Sequence, residues 1–241
     1  MKQAAAPTAY TPEQAEAYDG LRFADAEGLA IHRTEFEQLK LALDRIAKSG
    51  QALEVGCGTG RLLLEGWDAG YHIDGMDASP DMLAQLERKL AGRTERELNL
   101  QIGEAAKLPY DNSSYDLVYA IRLLNQTESP EYALRVVVDM LRVAKPGGYV
   151  LAEFVNERRP RLGRNKRPTT RLDPKAVEAT GREHGARVIW THGAFLFGMG
   201  ALRAAPGFLV PLVRQIDRAF ARLFPRYCSR VYVLLRKAEV R

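Results

Sequence analysis

Three glycines and one aspartate are the residues best placed to bind a ligand. Gly56, Gly58 and Gly60 alternate directly after an apolar run, and a helix is predicted from about Arg61. Alternate glycines allow a tight turn and leave no side chains between the backbone and a ligand, so amide groups at a helix N-terminus can hold a negatively charged or polar group. Asp77 follows the next apolar run, 17 residues after Gly60. A carboxylate at that point can accept both hydroxyls of a ribose, so the pattern predicts a nucleoside site.

The spacing of the glycines excludes the two usual phosphate-binding motifs. The dinucleotide pattern GxGxxG would need a glycine where this chain has Arg61. The phosphate-cradling loop would need Gly-Lys-Ser/Thr after four intervening residues, and that sequence is absent. The predicted site therefore binds a nucleoside without requiring a pyrophosphate.

Few other residues suggest acid–base or metal chemistry. The candidates for a general base are His32, His192 and Tyr18, and the sequence does not rank them. The histidines are scattered, and neither Cys57 nor Cys228 has a CxxC partner. We therefore expect no bound metal.

Seven short apolar runs alternate with segments at helical spacing, which is typical of a mainly parallel sheet covered by helices. The predicted strands are residues 52–55, 72–76, 99–102, 115–121, 149–155, 186–190 and 231–235. Ser129-Pro130-Glu131 begins a helix that is predicted to end at Lys145-Pro146-Gly147-Gly148, and Asp173-Pro174 begins another. The fold class is therefore α/β.

The predicted strands divide the chain into two parts. Residues 1–48 are predicted to be a helical cover, and residues 49–241 the main domain. That domain contains a basic loop at 157–171 and a helical insertion at 195–226. In the insertion, apolar residues and a stripe formed by Arg214, Arg218 and Arg222 recur at helical spacing. The insertion either covers the core of its own domain, touches anionic lipid, or lines an apolar substrate pocket.

Composition excludes several classes of protein. With 46% hydrophobic and 27% charged residues among 241, the chain is not disordered. The apolar stretch 193–213 contains Arg203 and two prolines, so it does not read as a membrane span. The first residues have no apolar run typical of a secretory signal, and we expect a cytoplasmic protein with reduced cysteines.

Charge is distributed unevenly between the two ends of the chain. Residues 1–156 hold 16 Lys and Arg against 24 Asp and Glu, whereas residues 157–241 hold 19 against 6. The C-terminal third is therefore predicted to present a positive face. Its basic loop at 157–171 is either a solvated loop or a contact for a phosphorylated or carboxylated substrate, an anionic lipid surface or RNA.

Five blocks of sequence resemble the class I S-adenosylmethionine-dependent methyltransferases, in particular the ubiquinone, menaquinone and small-molecule methyltransferase group. The blocks are Glu54–Gly60, Gly75–Leu83, Gly103–Tyr110, Tyr115–Val118 and Leu141–Gly148. They follow in order at the family's spacings over about residues 50–155. The resemblance implies a Rossmann-like sheet of seven strands, mostly parallel with the last strand antiparallel and with helices on both faces. It also implies S-adenosylmethionine as cofactor and S-adenosylhomocysteine as product.

The resemblance also implies roles for individual residues. The glycine loop would line the methionine portion of the cofactor, Asp77 would hold the ribose, and Glu104, where the family usually has Asp, would flank the adenine with Ala105. The implied cofactor-binding set is Glu54, Gly56, Cys57, Gly58, Gly60, Asp77, Ala78, Met82, Glu104, Ala105, Ala120 and Ile121. The substrate candidates are Tyr18, Arg22, Phe23, Asn125, Phe154 and Phe195. Arg122, an unusual charge beside a cationic cofactor, would turn away, pair with Asp19 or bind an anionic substrate.

These observations favour a methyltransferase that acts on a small, apolar or amphipathic acceptor by in-line displacement. One alternative is a binding module that uses cofactor occupancy to regulate contact with a lipid or protein. Another is RNA methylation through the basic loop, although no motif for base amines and no RNA-binding domain is present. The partner expected is thus a small molecule, with peripheral membrane contact and oligomeric state left open.

Overall fold

The computed structural model of this chain describes residues 11–23, 25–93, 98–159, 169–198 and 206–239. Within those ranges the α-helices are α1 (Pro12–Phe23), α2 (Ala26–Leu43), α3 (Arg61–Asp68), α4 (Pro80–Leu90), α5 (Pro130–Val143), α6 (Pro174–Glu183) and α7 (Val210–Leu223). The strands are β1 (Gln51–Val55), β2 (His72–Asp77), β3 (Leu100–Ile102), β4 (Tyr115–Ala120), β5 (Ala144–Asn156), β6 (Arg171–Leu172), β7 (Ala186–Ala194) and β8 (Arg230–Lys237).

The strands form one mixed sheet in the order β3-β2-β1-β4-β5-β8-β7, and β6 pairs with β5. The pairs among β3, β2, β1, β4 and β5 are parallel, and β8 is antiparallel to both β5 and β7. Because parallel strands end at the same edge, the residues that follow β1, β2 and β4 are brought together. The candidate site lies at this carboxyl edge.

Side-chain caps explain where several of the helices begin. Ser79 accepts a hydrogen bond from the Met82 amide at the start of α4, and Ser129 accepts one from the Tyr132 amide at the start of α5. Asp173 and Asp25 cap α6 and α2 in the same way. Each cap binds an amide that the first turn of a helix leaves without a backbone partner.

The two faces of the sheet bury two apolar clusters. One contains Val118, Ala120 and Phe154 from the sheet with Val136 and Met140 from α5. The other packs residues of α2, α3 and α4 against the opposite face, including Leu39, Leu43, Leu63, Leu86 and Tyr119. Helices on both faces are therefore held by apolar burial, as the α/β pattern predicts.

The predicted fold class and all seven predicted strands are confirmed. Strand β6 has only two residues, too few to give a period in the sequence, and it was not predicted. The end of α5 was predicted too late, because the helix ends at Val143 and Ala144 already pairs with Tyr115 as the start of β5. Most of the basic loop and part of the helical insertion, residues 160–168 and 199–205, lie outside the described residues.

Candidate functional site

The glycine loop is a left-handed turn between β1 and α3. Gly56, Gly58 and Gly60 have φ angles of +75°, +54° and +77°, a region that only glycine adopts without strain. The amides of Gly56 and Cys57 donate to the Met76 carbonyl at 2.7 and 3.0 Å, which ties the loop to β2. The glycines are thus required by the backbone conformation of the loop.

The Asp77 carboxylate is linked to this loop by a direct hydrogen bond. One oxygen accepts from the Gly58 amide at 2.8 Å, and the other accepts from the Ser79 amide at 2.9 Å. Burial raises the pKa of Asp77, and these backbone hydrogen bonds oppose the shift. A carboxylate has about four lone-pair positions, so each oxygen retains one for a ligand hydroxyl. The geometry is compatible with the predicted ribose contact.

A cleft with about 400 Å³ of empty space, open to solvent, lies beside the loop. Its lining residues are Tyr18, Glu54, Gly56, Cys57, Gly58, Thr59, Arg61, Leu62, Ile121, Arg122 and Gln126. A Cβ built on Gly58 would meet no atom within 4 Å, whereas one on Gly56 would lie 2.8 Å from Leu123 Cδ1. Gly58 therefore borders open space, and Gly56 borders packed protein. The backbone at Gly58 can approach a ligand closely, which fits a bound nucleoside.

Glu54, at the end of β1, is a buried carboxyl group that lines the cleft. It accepts a hydrogen bond from the Tyr119 hydroxyl at 3.1 Å. Burial raises the pKa of Glu54 to about 8, and the hydrogen bond and Arg61 only partly oppose this shift. At neutral pH the group therefore holds its proton unless a cation enters the cleft.

Glu54→Gln is expected to flatten the dependence of stability on pH. The ordinary pKa of the group is 4.5 and the folded value is about 8. Between these values the folded protein holds a proton that the unfolded chain has released, so the free energy of unfolding falls as pH rises. The loss amounts to a few kcal/mol at about 1.4 kcal/mol per pKa unit. Urea denaturation from about pH 5 to pH 8.5 measures both proteins, and parallel profiles would contradict the assignment.

A buried ionic cluster stands behind the cleft and was not predicted from the sequence. Glu35 of α2 is 2% exposed and pairs with Arg61, at the start of α3, and with Arg122 at 3.2 Å. Burial disfavours the charged carboxylate, but Arg122 and Arg61 together lower the pKa of Glu35. The partner that the structure gives Arg122, Glu35 of α2, was not among the alternatives considered from the sequence, and Asp19 pairs with Lys89. Only the packing of α2 over the sheet brings these residues together.

The backbone of Arg122 is held by a second ion pair. Arg122 has a φ of +65°, and its amide donates to Glu153 of β5 at 2.7 Å. Glu153 also pairs with Arg230 of β8 at 2.6 Å, and both side chains are buried. Arg230 in turn donates to the side chain of Asn125 at 3.1 Å. The turn after β4 is thus fixed by charges from two further strands.

Helix α1 contacts the glycine loop through Asp19. Asp19 accepts from the Thr59 hydroxyl at 2.8 Å and also pairs with Lys89 of α4, which donates to the Thr59 carbonyl at 2.7 Å. Tyr18 lines the cleft. The other two substrate candidates on this helix, Arg22 and Phe23, have side chains outside the described part of the structure.

The two histidine candidates differ in position. His32 lies next to the cleft residue Arg61, which contacts its Nδ1, while its Nε2 lies 2.5 Å from Glu65. Burial and Arg61 lower the pKa of His32 to about 4. His192 lies on the edge strand β7, stacked on Trp190 and bonded to Gln38. The structure therefore brings His32, but not His192, near the loop, and both nitrogens of His32 already have protein contacts.

The remaining predicted residues divide into two groups. Phe154 and Phe195 are buried in the two apolar clusters and do not line the cleft. Asn125 lies in the turn after β4. Ala120 ends β4 in the core, and Ile121 lines the cleft.

The remaining predicted cofactor-binding residues follow β2 and β3, and of these Glu104 and Ala105 are the ones predicted to flank the adenine. Ala78 is exposed beside Asp77, whereas Met82 is buried in α4. Glu104 is exposed after β3 and accepts from the Tyr132 hydroxyl at 3.1 Å, with Ala105 half-buried next to it. Ile102 is 57% exposed at the end of β3. This apolar side chain was missed by the sequence reasoning, although its place just before Gly103 was a signal.

The chain is similar in sequence to a family of methyltransferases and to individual curated proteins. Residues 52–148 match the family model described as "Methyltransferase domain". A demethylmenaquinone methyltransferase of Shouchella clausii is 36% identical over 106 residues, which cover 42% of this chain and 43% of that protein. A phosphatidylethanolamine N-methyltransferase of Cereibacter sphaeroides is 35% identical over 106 residues, covering 44% of this chain and 50% of that protein.

A structural neighbour has the same fold at low sequence identity. The magnesium protoporphyrin IX methyltransferase of Synechocystis PCC 6803, solved with bound S-adenosylmethionine, superposes with a TM-score of 0.61 at 13% identity. The superposition covers 88% of this chain and 81% of that one. The chain spans about half or less of the length of the curated relatives described above. The family resemblance seen in the sequence is confirmed, and the residues matched by the family model include the glycine loop and Asp77.

Proposed function

The chain carries a class I S-adenosylmethionine-dependent methyltransferase domain, and from this premise we propose that it methylates a small, apolar or amphipathic acceptor. The observation that carries the proposal is the hydrogen bond between Asp77 and the amide of Gly58, which lines the cleft. This bond connects Asp77, the residue predicted to bind the ribose, directly to the loop that is predicted to bind the methionine portion. Bound S-adenosylmethionine would supply an electrophilic methyl group.

Residues of the cleft and of the nearby carboxyl ends of β2 and β3 would bind and orient the cofactor. The Asp77 oxygens would accept the ribose hydroxyls, the Gly58 backbone would face the methionine portion, and Ile102 with Ala105 would flank the adenine. Glu54 would become charged beside the positive groups of the cofactor, because a nearby cation favours the carboxylate. Methyl transfer needs an acceptor held in line and kept from water, so positioning does most of the work.

The nature of the acceptor is inferred from the relatives and from the cleft itself. The two relatives are named as methyltransferases of demethylmenaquinone and of phosphatidylethanolamine. Tyr18 and Ile121 give the cleft an apolar side, and Gln126 and Arg122 give it a polar one. An acceptor with an apolar body and a polar reacting group suits this lining. Such a molecule dissolves in membranes, so the proposal includes peripheral contact with a membrane.

The proposal is tested by incubating the pure protein with methyl-labelled S-adenosylmethionine and fractionated metabolite and lipid extracts. We expect label in an organic-soluble compound, and mass spectrometry identifies that compound and the methylated atom. Cofactor binding without any labelled product would instead support the alternative, a binding module regulated by cofactor occupancy. Label in RNA would support the other alternative, RNA methylation.

We further propose that α1, the described first helix of the predicted cover at 1–48, acts as a lid held closed by the contacts of Asp19; residues 1–10 lie outside the described residues. Asp19→Asn removes the ion pair with Lys89 and weakens the contact with Thr59. Since α1 then has less to hold it over the loop, bound cofactor should dissociate about 3- to 10-fold faster, which is the scale of losing one or two exposed polar contacts. Stopped-flow displacement of S-adenosylmethionine measures this rate.

A matched control for the lid is Asp68→Asn. Asp68 forms an exposed ion pair with Arg93 at 2.8 Å and does not line the cleft. Its variant should release the cofactor at the wild-type rate. Equal rates for the Asp19 and Asp68 variants would show that α1 does not close the site.

A further inference from the structure

Helix α7 is oriented with its apolar side outward. Four of its apolar side chains, Leu212, Ile216, Phe220 and Leu223, are 53%, 42%, 47% and 71% exposed. The preceding turn adds Phe208, which is 81% exposed. Surface helices of globular domains normally bury such a stripe against the core. Of the alternatives that the sequence left open, burial of this stripe against the domain core is therefore not observed, and α7 packs on the core through Val210 and Val213 instead.

Polar contacts hold α7 in this orientation. Arg214 and Arg218 bind Glu37 of α2 at 2.8 and 3.3 Å. On the same inward side, Asp217 accepts the amides of Phe195 and Phe197 at 2.9 and 3.1 Å. Rotating the helix to bury the apolar stripe would break all four interactions. The outward apolar side is thus built into the packing of the domain.

The exposed residues form one continuous surface, which we call the α7 face. It consists of Phe208, Leu209, Leu212, Ile216, Ala219, Phe220, Leu223, Phe224 and Tyr227. Contiguous apolar surface of this kind marks a binding site rather than scattered exposure. Within α7, the apolar residues share one side of the helix because they recur three and four positions apart, and the other residues of the face directly precede or follow the helix.

Charge indicates what the α7 face binds. Arg222 and Arg226 are exposed, and the Arg226 guanidinium lies 4.7 Å from the ring centre of Tyr227, a residue of the face. The acid of α7, Asp217, is buried and points the other way, and Glu37 is engaged by Arg214 and Arg218. The border of the face therefore carries positive charge with no acid of α7 beside it. An apolar centre with arginines at its edge complements a bilayer with anionic headgroups.

The length of α7 indicates whether the helix would span the bilayer or lie on its surface. Helix α7 has 14 residues, about 21 Å at 1.5 Å per residue, which is short of a hydrocarbon core of roughly 30 Å. Among the residues that the structure describes, no helix is long and apolar enough to cross a membrane. An amphipathic helix of this length lies in the plane of the interface.

We infer that the α7 face docks on an anionic lipid surface, with its apolar residues inserted among the acyl chains and its arginines among the headgroups. The inference names the surface responsible for the membrane contact in the proposed function, but it does not depend on methyl transfer. Helix α2 would link the membrane-bound face to the cleft, because it contacts both. Helix α2 holds α7 through Glu37 and holds the cleft arginines through Glu35, two residues earlier.

Vesicle flotation without cofactor or acceptor tests the inference. The protein is mixed with vesicles of phosphatidylcholine alone, or of phosphatidylcholine with phosphatidylglycerol. We expect binding to the mixed vesicles that is at least about 10-fold stronger, and that weakens with added salt as screening predicts. Absence of binding to the mixed vesicles would overturn the inference while leaving the methylation assay unaffected.

Two double variants separate the apolar and the charged contributions. Leu212→Gln with Phe220→Gln should reduce binding about 10-fold or more, because both side chains are exposed in the free protein and buried in the bilayer. Arg222→Gln with Arg226→Gln should remove the preference for phosphatidylglycerol. Controls are Leu29→Gln and Arg182→Gln, exposed residues of α2 and α6 outside the α7 face. Circular dichroism checks that each variant is folded.

A second copy of the chain is the competing occupant of the α7 face. Light scattering with the wild type and with Leu212→Gln/Phe220→Gln distinguishes it. A dimer that the double variant dissociates, together with no vesicle binding, would assign the face to self-association and overturn the inference. A monomer that binds mixed vesicles supports it.

Discussion

Gly58→Ala is expected to weaken S-adenosylmethionine binding by about 10-fold or more while leaving the protein folded. The added methyl group meets no protein atom within 4 Å, so it enters the cleft instead of the core. Crowding a well-fitted ligand by one methyl costs about 1–3 kcal/mol, and about 1.4 kcal/mol is a factor of ten. Isothermal titration calorimetry measures the Kd.

The chain offers a matched control in Gly185→Ala. Gly185 has a φ of +72°, close to the +54° of Gly58, and a Cβ there also meets nothing within 4 Å. Both variants therefore carry the same left-handed strain of about 1–2 kcal/mol, but only one places a methyl in the cleft. Equal affinities in the two variants would show that the cofactor does not approach the Gly58 backbone.

Asp77→Ala is the second change with a large expected effect, a loss of about 10-fold or more in S-adenosylmethionine affinity. The carboxylate would accept the ribose hydroxyls, and charge-assisted hydrogen bonds are about twice as strong as neutral ones. It also holds the Gly58 amide at 2.8 Å, so its removal frees the loop as well. Calorimetry again gives the Kd.

A pH titration separates ligand contact from loop support at Asp77. Burial raises the pKa of this group, and only the carboxylate accepts two hydroxyls. Affinity of the wild type should therefore fall as pH drops through the raised pKa, and Asp77→Ala should lose that part of the dependence. A variant that keeps the wild-type pH profile would show that the ribose is held elsewhere.

Asp74→Ala is the matched control on the same strand. Its carboxylate also makes two hydrogen bonds, from the Asn99 amide at 3.2 Å and the Tyr115 hydroxyl at 3.0 Å, but neither joins it to the glycine loop. Its loss should reduce stability without changing the Kd for the cofactor. A loss of affinity equal to that of Asp77→Ala would point to general loosening of β2.

The sequence by itself determined the features that depend on neighbouring residues. Left-handed turns after β1 require glycine, so the alternate glycines predicted the loop. Apolar runs of strand length predicted the seven longer strands, and Ser129-Pro130 and Asp173-Pro174 predicted where helices begin. The position of Asp77 followed because parallel strands end at one edge. Each of these signals lies within a few residues of the structure it specifies.

The tertiary structure alone decided which charges meet and which way α7 turns. Glu35 and Arg122 are 87 positions apart, and Glu37 and Arg214 are 177 apart, so no local pattern pairs them. The apolar stripe of α7 predicted an amphipathic helix, but the spacing of these residues is the same whether their side faces the core or the solvent. Its direction is set by Glu37 and by the amides that Asp217 binds. Local propensity fixes the conformation of a segment, whereas its orientation depends on partners that only the folded chain brings within bonding distance.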